Sequence, residues 1–282
     1  MNGEHILYLT SNGCLDIYES NTPANFINRL STPLMLENNV DYEVGLVGIL
    51  YPDKYYGLLA NDDDYKIIVS TNYEKTGSSI ISVRLQQNIL AGDLHKMVKI
   101  VNKNLMNHLK TYYSADIYKK MFKRPMILKW NEEESRVEIH RALLGTNELF
   151  KTDIRSITIT LMPGLARVFG FISERQYTIF SQANGLSVHK SSFLPSPRCD
   201  VDYIYLYSDI IQPSHFAGQL VNILDCFTLQ NGGNKGVHNT IYKPLNTRFI
   251  DQISIKVRDQ HARPINFIEN STITCVLNIR PK

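Results

Sequence analysis

The run Asp202-Tyr-Ile-Tyr-Leu-Tyr-Ser-Asp-Ile-Ile-Gln-Pro213 constrains the chain more than any other stretch. In an extended strand, Tyr203, Tyr205 and Tyr207 fall on one side, and Ile204 and Leu206 on the other. Aromatic and β-branched residues dominate it, so a helix does not compete. Large side chains on both sides predict a strand covered on both faces, or covered on one face and buried by a partner chain on the other. Pro213 has no N–H for a ladder, so pairing should end near it. The run reads as an inner strand with N-terminal and C-terminal strands packed around it.

The same two-residue period recurs. Residues 5–10 read as a short first strand. Residues 40–51 form a strong strand, with Tyr42, Val44, Leu46 and Leu50 on one face and Val47, Ile49 and Tyr51 on the other. Gly45 and Gly48 within it signal a bulge or a close backbone approach. Further strands are predicted at 65–73, 80–85, 154–161 and 220–229, with a hairpin from 126–130 and 136–139. Near the end, Ile253, Ile255 and Val257 should face inward, as should Ile273, Cys275, Leu277 and Ile279. Asp93 can cap the one clearly amphipathic helix, whose Leu94, Met97, Val98, Val101 and Leu105 share a face. A short helix at 163–170 should stop at Gly170. Residues 11–31 read as an extended arm or a loop with ordered contacts, anchored by Leu15, Tyr18, Phe26 and Ile27, 173–200 as loop-rich, and 231–236 as a flexible loop. Many short strands, one substantial helix and no βαβ alternation predict a mainly β fold, an antiparallel sandwich or jelly roll.

Composition excludes several functions. The 282 residues carry a net charge of +3, without a basic tail, so a dedicated nucleic-acid grip is disfavoured. The small cluster Lys119-Lys-Met-Phe-Lys-Arg124 reads as a solvated loop. No apolar run approaches the roughly 20 residues that span a bilayer, and the first residues do not form a secretory signal. Cys14, Cys199, Cys226 and Cys275 are widely spaced, which fits free thiols in a reducing compartment, with Cys275 buried.

No catalytic or cofactor constellation outranks the structural reading. The eight histidines are scattered without metal-ligand spacing, and the glycines at 231–236 lack the order of a phosphate-binding loop. Asp62-Asp-Asp64 and Glu132-Glu-Glu134 sit in predicted turns, where carboxylates are solvated; neither matches a calcium loop or a glycosidase pair. A carboxylate-based hydrolase would need two carboxylates converging in a cleft. The 16 tyrosines carry more information, since tyrosine suits surfaces that meet other surfaces. Tyr51, Tyr55, Tyr56, Tyr203, Tyr205 and Tyr207 are candidates for an interface or a sugar-binding face; the alternative is that most are half-buried sandwich residues.

Five blocks in order carry a resemblance. They are Thr10-Ser-Asn12 with Tyr18 and Asn21-Thr-Pro-Ala-Asn-Phe26; Tyr42-Glu-Val-Gly-Leu-Val-Gly-Ile-Leu-Tyr-Pro52; Pro163-Gly-Leu-Ala-Arg-Val-Phe-Gly-Phe171; Leu206-Tyr-Ser-Asp-Ile-Ile-Gln-Pro213; and Asp251 through Val257-Arg-Asp259 and Arg263-Pro-Ile-Asn-Phe267 to Leu277-Asn-Ile-Arg280. Together they resemble the minor capsid, or penton, protein of Maverick/Polinton elements and the related adintoviruses and virophages. The chain departs from a compact member of that family in the long 173–200 connection and the polar 231–236 loop.

The resemblance implies a single jelly-roll antiparallel sandwich with an additional α/β subdomain. The jelly roll would occupy 1–76 and 176–282, with the subdomain at 77–175. It implies a structural protein of the virion, not an enzyme, without cofactor, metal or membrane partner, assembled in the host cytoplasm or nucleus. The subunit would form homopentamers at the fivefold vertices of an icosahedral shell, beside double-jelly-roll major capsid proteins. A closed ring needs two different patches on each copy. Tyr51, Tyr55, Tyr56, Asp209, Pro213 and Phe216, in the strand-end loops, are the candidate contacts, and residues 11–31 a candidate arm toward a neighbouring capsomer. The rival reading is a carbohydrate- or receptor-binding β-sandwich module.

Overall fold

A computed structural model describes residues 3–73, 77–115, 118–119, 127–140, 154–181, 188–196, 198–199, 201–229, 234–236 and 240–282. The chain divides into two compact units. The first comprises Met1–Tyr55 and Val201–Lys282, and the second Tyr56–Asp200. The second unit is wider at both ends than the 77–175 stretch read from the sequence, because the strands before Gly77 and after Arg175 pair inside it.

In the first unit the strands alternate between two antiparallel sheets. One sheet has the order β1 (His5–Thr10), β20 (Thr274–Pro281), β3 (Tyr42–Leu50), with β17 (Asn234–Gly236) and β18 (Tyr242–Pro244) both paired along β3. The other has the order β16 (Ile223–Thr228), β13 (Tyr203–Ser208), β19 (Phe249–Arg258), β2 (Asn25–Met35). Successive strands β1, β2 and β3 switch sheets at each step, as do β18, β19 and β20. That winding makes the unit a jelly-roll sandwich.

The core follows the period-2 alternation. Ile253, Ile255 and Val257 of β19, and Cys275, Leu277 and Ile279 of β20, are buried, as are Ile204 and Leu206 of β13. β13 is an inner strand, paired with β16 on one side and β19 on the other. Its ladder with both neighbours ends by Ser208, ahead of Pro213.

β3 departs from the even alternation. Its register with β20 skips Val47, because Val276 faces Gly48 and Leu277 faces Leu46. The extra residue is a β-bulge, in the stretch flagged by Gly45 and Gly48. It reverses the parity that follows. Ile49 therefore joins Val44 and Leu46 inside, and Leu50 turns out to 52% exposure. Gly45 also marks a close approach, since a Cβ there would lie 2.3 Å from Cγ2 of Thr240.

Of the two forms expected for residues 11–31, the structure has the ordered loop, which leads into a strand, and not an extended arm. Asn25–Met35 form edge strand β2, with Pro33 in a bulge where no ladder donor is needed. Of the expected anchors, Phe26 is buried, Ile27 is half-buried and the Tyr18 hydroxyl donates to Gln252 of β19 (2.7 Å), whereas Leu15 is exposed. The preceding loop is tied to its own sheets. The buried Asn28 side chain on β2 accepts from the Thr10 backbone N–H (2.7 Å) and donates to the Thr10 carbonyl (2.9 Å), bridging the two sheets as a ladder rung would. Ser11 then exchanges backbone and side-chain hydrogen bonds with Ile273. The expected flexible loop at 231–236 is also corrected, since Asn234–Gly236 pair with Gly48–Leu50 of β3; residues 231–233 lie outside the described residues.

The second unit has a four-stranded antiparallel sheet ordered β11 (Gln176–Ser181), β10 (Ile154–Leu161), β5 (Ile67–Tyr73), β6 (Gly77–Val83). β11 lies in the stretch expected to be loop; its polar Gln176 and Thr178 concealed a strand signal. A second sheet is ordered β12 (His189–Lys190), β9 (Arg136–Ile139), β8 (Leu128–Asn131), and β4 (Tyr56–Leu58) pairs with β7 (Ile89–Leu90). Helix α1 (Leu94–Tyr112) starts at Asp93, whose carboxylate accepts from the Lys96 N–H at 2.9 Å. It buries Met97, Val98, Val101, Leu105 and Leu109 in the core of this unit. Helix α2 (Pro163–Phe169) closes in a Schellman arrangement. Gly170 N–H bonds the Arg167 carbonyl and Phe171 N–H the Ala166 carbonyl. Gly170 has φ 76°, and a Cβ there would sit 2.2 Å from the Phe193 carbonyl oxygen, so the position demands glycine.

Two expectations follow. Asn28→Ala strips the Asn28 partner from both the Thr10 N–H and the Thr10 carbonyl and should lower the stability of the first unit by about 1–3 kcal/mol, read from urea unfolding. The second concerns alkaline pH. Burial pushes the Cys275 thiol from 9.0 up to about 12. Burial likewise pushes the Tyr113 phenol from 10.0 up to about 12, against an opposing hydrogen bond with Thr71. The folded state favours both neutral forms, so their contribution is intact below about pH 9. It is lost as pH rises and the unfolded chain ionises first. Stability should fall by about 1.4 kcal/mol per pH unit per group in that window. Urea midpoints at pH 7 and 10 check this, and Cys275→Ala should flatten the first part of the decline.

Candidate assembly surface

The outward faces of the first unit are more apolar than its core requires. On β1, Leu7 and Leu9 turn inward while Ile6 and Tyr8 stand 57% and 72% exposed. Across the ladder, Tyr8 faces Val276 of β20, and Leu50 of β3 faces Thr274. These residues form one outward apolar patch. β1 is also an edge strand, and among the described residues only β20 pairs with it. The neighbouring part of the same face is polar. Asn278 donates to Glu4 (2.6 Å) and Tyr242 (3.2 Å), and the Arg280 guanidinium bonds Glu43 (2.8 Å) and lies 3.4 Å above the Tyr242 ring.

The other sheet carries the tyrosine row of β13. Tyr203 is exposed, and Tyr205 and Tyr207 are half-buried. Burial raises the phenol pKa of both Tyr205 and Tyr207, so each stays a neutral donor. The row is not an open platform. The hairpin of β14 (Ser214–Phe216) and β15 (Gln219–Val221) places the Phe216 ring edge-on to Tyr205, with centroids 5.6 Å apart. Its two-residue turn has positive φ at both Ala217 (48°) and Gly218 (81°), the geometry that matches strand twist. Phe216 and Leu220 remain exposed at its surface. A third apolar pair, Met35 and Phe249, sits directly opposite across β2 and β19, both exposed.

The sequence-derived contact residues divide. Tyr51 is buried, its ring 5.8 Å from Phe227. Tyr55 is buried and bridges to Phe267. Both turn into their own unit and present almost no surface, Tyr51 through the parity change at Val47 and Tyr55 through its bridge to Phe267. Tyr56 is half-buried in β4 of the second unit. Asp209 is exposed as a residue, but its carboxylate turns in to accept from the Ser254 N–H (2.9 Å), and its carbonyl accepts from Asn246 (2.6 Å). Burial pushes that carboxyl up, and the Ser254 bond pulls it partly back. Pro213 and Phe216 are exposed on the same hairpin arm. The structure therefore brings Pro213 and Phe216 together and separates them from the buried tyrosines. Ile6, Tyr8, Leu50, Leu220, Met35 and Phe249 were missed. In β1 both alternating sets are apolar, so the pattern does not say which one is outside.

Among the described residues, no group of three or more His, Cys, Asp or Glu side chains is placed to hold a metal ion. No described helix is long and apolar enough to cross a membrane. Of the basic cluster 119–124, residues 120–124 lie outside the described residues.

No family model matches the chain, and no curated protein does. Among solved structures it is similar to the mavirus penton protein, with 12% sequence identity and a TM-score of 0.50, covering 99% of this chain and 100% of that one. The likeness establishes a penton-like fold. Phe216→Ala should leave the sandwich intact while loosening the hairpin by about 0.5–1.5 kcal/mol, the range for an aromatic pair. Hydrogen exchange should then accelerate at residues 219–221 and stay unchanged in β19.

Proposed function

We propose that this chain is the penton subunit of an icosahedral shell, assembling as a homopentamer at the fivefold vertices beside double-jelly-roll major capsid proteins. The observation that carries this reading is the end-to-end likeness to a penton protein, sandwich and second unit together. A structural role in the virion, rather than catalysis, accords with that likeness. The outward apolar surface supports it too, because patches of this kind mark protein–protein contacts.

A cyclic ring joins one patch of each copy to a different patch of the next. In this proposal the two are the β1 face, with Ile6, Tyr8 and Leu50, and the β14–β15 hairpin, with Pro213, Phe216 and Leu220. Aromatic and aliphatic side chains would form the desolvated centre of the contact. The exposed edge of β1, otherwise an aggregation hazard, would be covered in the ring.

The ring makes a distinctive prediction. Five copies of 32.3 kDa give about 160 kDa, to be read by native mass spectrometry or light scattering at high concentration, with or without the major capsid protein. Ile6→Lys/Tyr8→Lys and Phe216→Lys/Leu220→Lys should each abolish the ring. A one-to-one mixture of the two variants retains a single intact contact and should yield dimers. A mixture that stays monomeric, with the wild type pentameric, would reject this pair of patches while leaving the penton reading in place. A wild-type chain absent from the vertices of particles formed with the major capsid protein would sink the penton reading itself.

A further inference from the structure

Helix α1 has a second face that the core does not use. Across Leu94–Tyr112 the helix contains no Asp or Glu, so it offers its own lysines no partner. Lys99, Lys103 and Lys110 fall within about 40° of the helix circumference at 100° per residue. All three are exposed. Like charges at i and i+4 repel, so the stripe costs the isolated helix stability and stays unrelieved within the chain. Lys119, from the segment after the helix, lies beside them. Among the described residues, none of these four lysines has a side-chain ion pair or hydrogen-bond partner.

The lysines rim a groove of about 670 Å³ whose floor includes the side chain of Met106, 6% exposed, and the half-buried ring of Tyr118. A cationic rim and an apolar floor select different parts of a ligand. Phosphate or a bare carboxylate would use the rim and leave the floor unfilled. Single-stranded nucleic acid binds through a succession of aromatic platforms, and Tyr118 is the one aromatic side chain among the described lining residues. An acidic peptide with a central apolar side chain satisfies both. The rise from Lys99 to Lys110 is about 16 Å, which about five residues of extended chain would span.

We infer that the α1 groove is a docking site for a short acidic segment of a partner protein, its carboxylates on Lys99, Lys103, Lys110 and Lys119 and an apolar side chain on Met106 and Tyr118. This site belongs to the second unit alone and is independent of the penton reading.

Fluorescence anisotropy on the full chain tests it with the labelled hexapeptide Glu-Glu-Leu-Phe-Glu-Glu. Its affinity should exceed that of a labelled hexaglutamate by about tenfold or more, because only the former fills the floor. Lys99→Glu/Lys103→Glu should weaken it by at least about tenfold, and Lys99→Gln/Lys103→Gln by less, with binding falling as salt rises. Circular dichroism confirms that the variants stay folded. Equal binding of hexaglutamate, or no saturable binding of the hexapeptide, overturns the inference. So does an oligothymidylate that binds more tightly with the same lysine dependence, which would make the groove a nucleic-acid contact.

Discussion

The first unit depends on two strands from the very end of the chain. β19 lies between β13 and β2, and β20 between β1 and β3. Each is the paired interior of its own sheet, and their inward side chains are buried on opposite sides of the sandwich. Without β19 and β20, β1 and β2 have no ladder partner among the described residues. Pairings across most of the sequence carry a high loop-closure entropy, so they form late and cooperatively. The arrangement also accounts for the tolerance of a long insertion. The second unit leaves after Tyr55 and returns at Val201, and it has a hydrophobic core of its own. Its described residues supply no strand to either sheet of the sandwich.

Period-2 alternation made this much legible from residues alone. β13, β19, β20 and β10 lie where their patterns put them, because each has one set of large apolar side chains to bury. The α1 and α2 termini were legible for a different reason, since Asp93 and Gly170 are local chemical requirements. Where the readings failed, the alternation was broken or doubled. β3 carries a bulge at Val47, and a single uncounted residue moved Tyr51 from surface to core. The polar, turn-rich run that holds Pro23 leads straight into β2, so the start of an edge strand reads as part of an arm or loop. In β1 both faces are apolar, and burial was decided by which sheet neighbour arrives. No local rule reports that.

Polar side chains differ in how far they can be read. Asn28 reads as an ordinary turn-forming residue, yet its amide replaces a missing rung between strands of different sheets. Its acceptor and donor satisfy both the N–H and the carbonyl of Thr10, which an apolar residue of the same size could not do. Asp259 does comparable work at the turn into the last strand. Its buried carboxylate accepts from the His261 and Arg263 backbone N–H groups and pairs with the Arg263 guanidinium at 2.7 Å. The Asn28 bonds join strands that only the folded topology brings together, whereas Asp259 closes a local turn within its own few residues.

Exposed apolar area then becomes the informative remainder. A sandwich of two sheets needs one inward face per sheet, and here the inward faces are already filled. Ile6, Tyr8 and Leu50 add no core contact, and nothing in the alternation of β1 would be lost if they were polar. Placing them outside lowers solubility unless another surface covers them, and it does so along an edge strand, where uncontrolled pairing is the hazard. A binding module of the lectin type would instead keep an aromatic row open beside carboxylates or amides. On this chain Phe216 roofs the central tyrosine of that row, and the nearby Asp209 carboxylate is committed to the Ser254 peptide. Two members of that constellation are thus engaged internally, while Ile6, Tyr8 and Leu50 stay exposed, and the proposed assembly rests on that contrast.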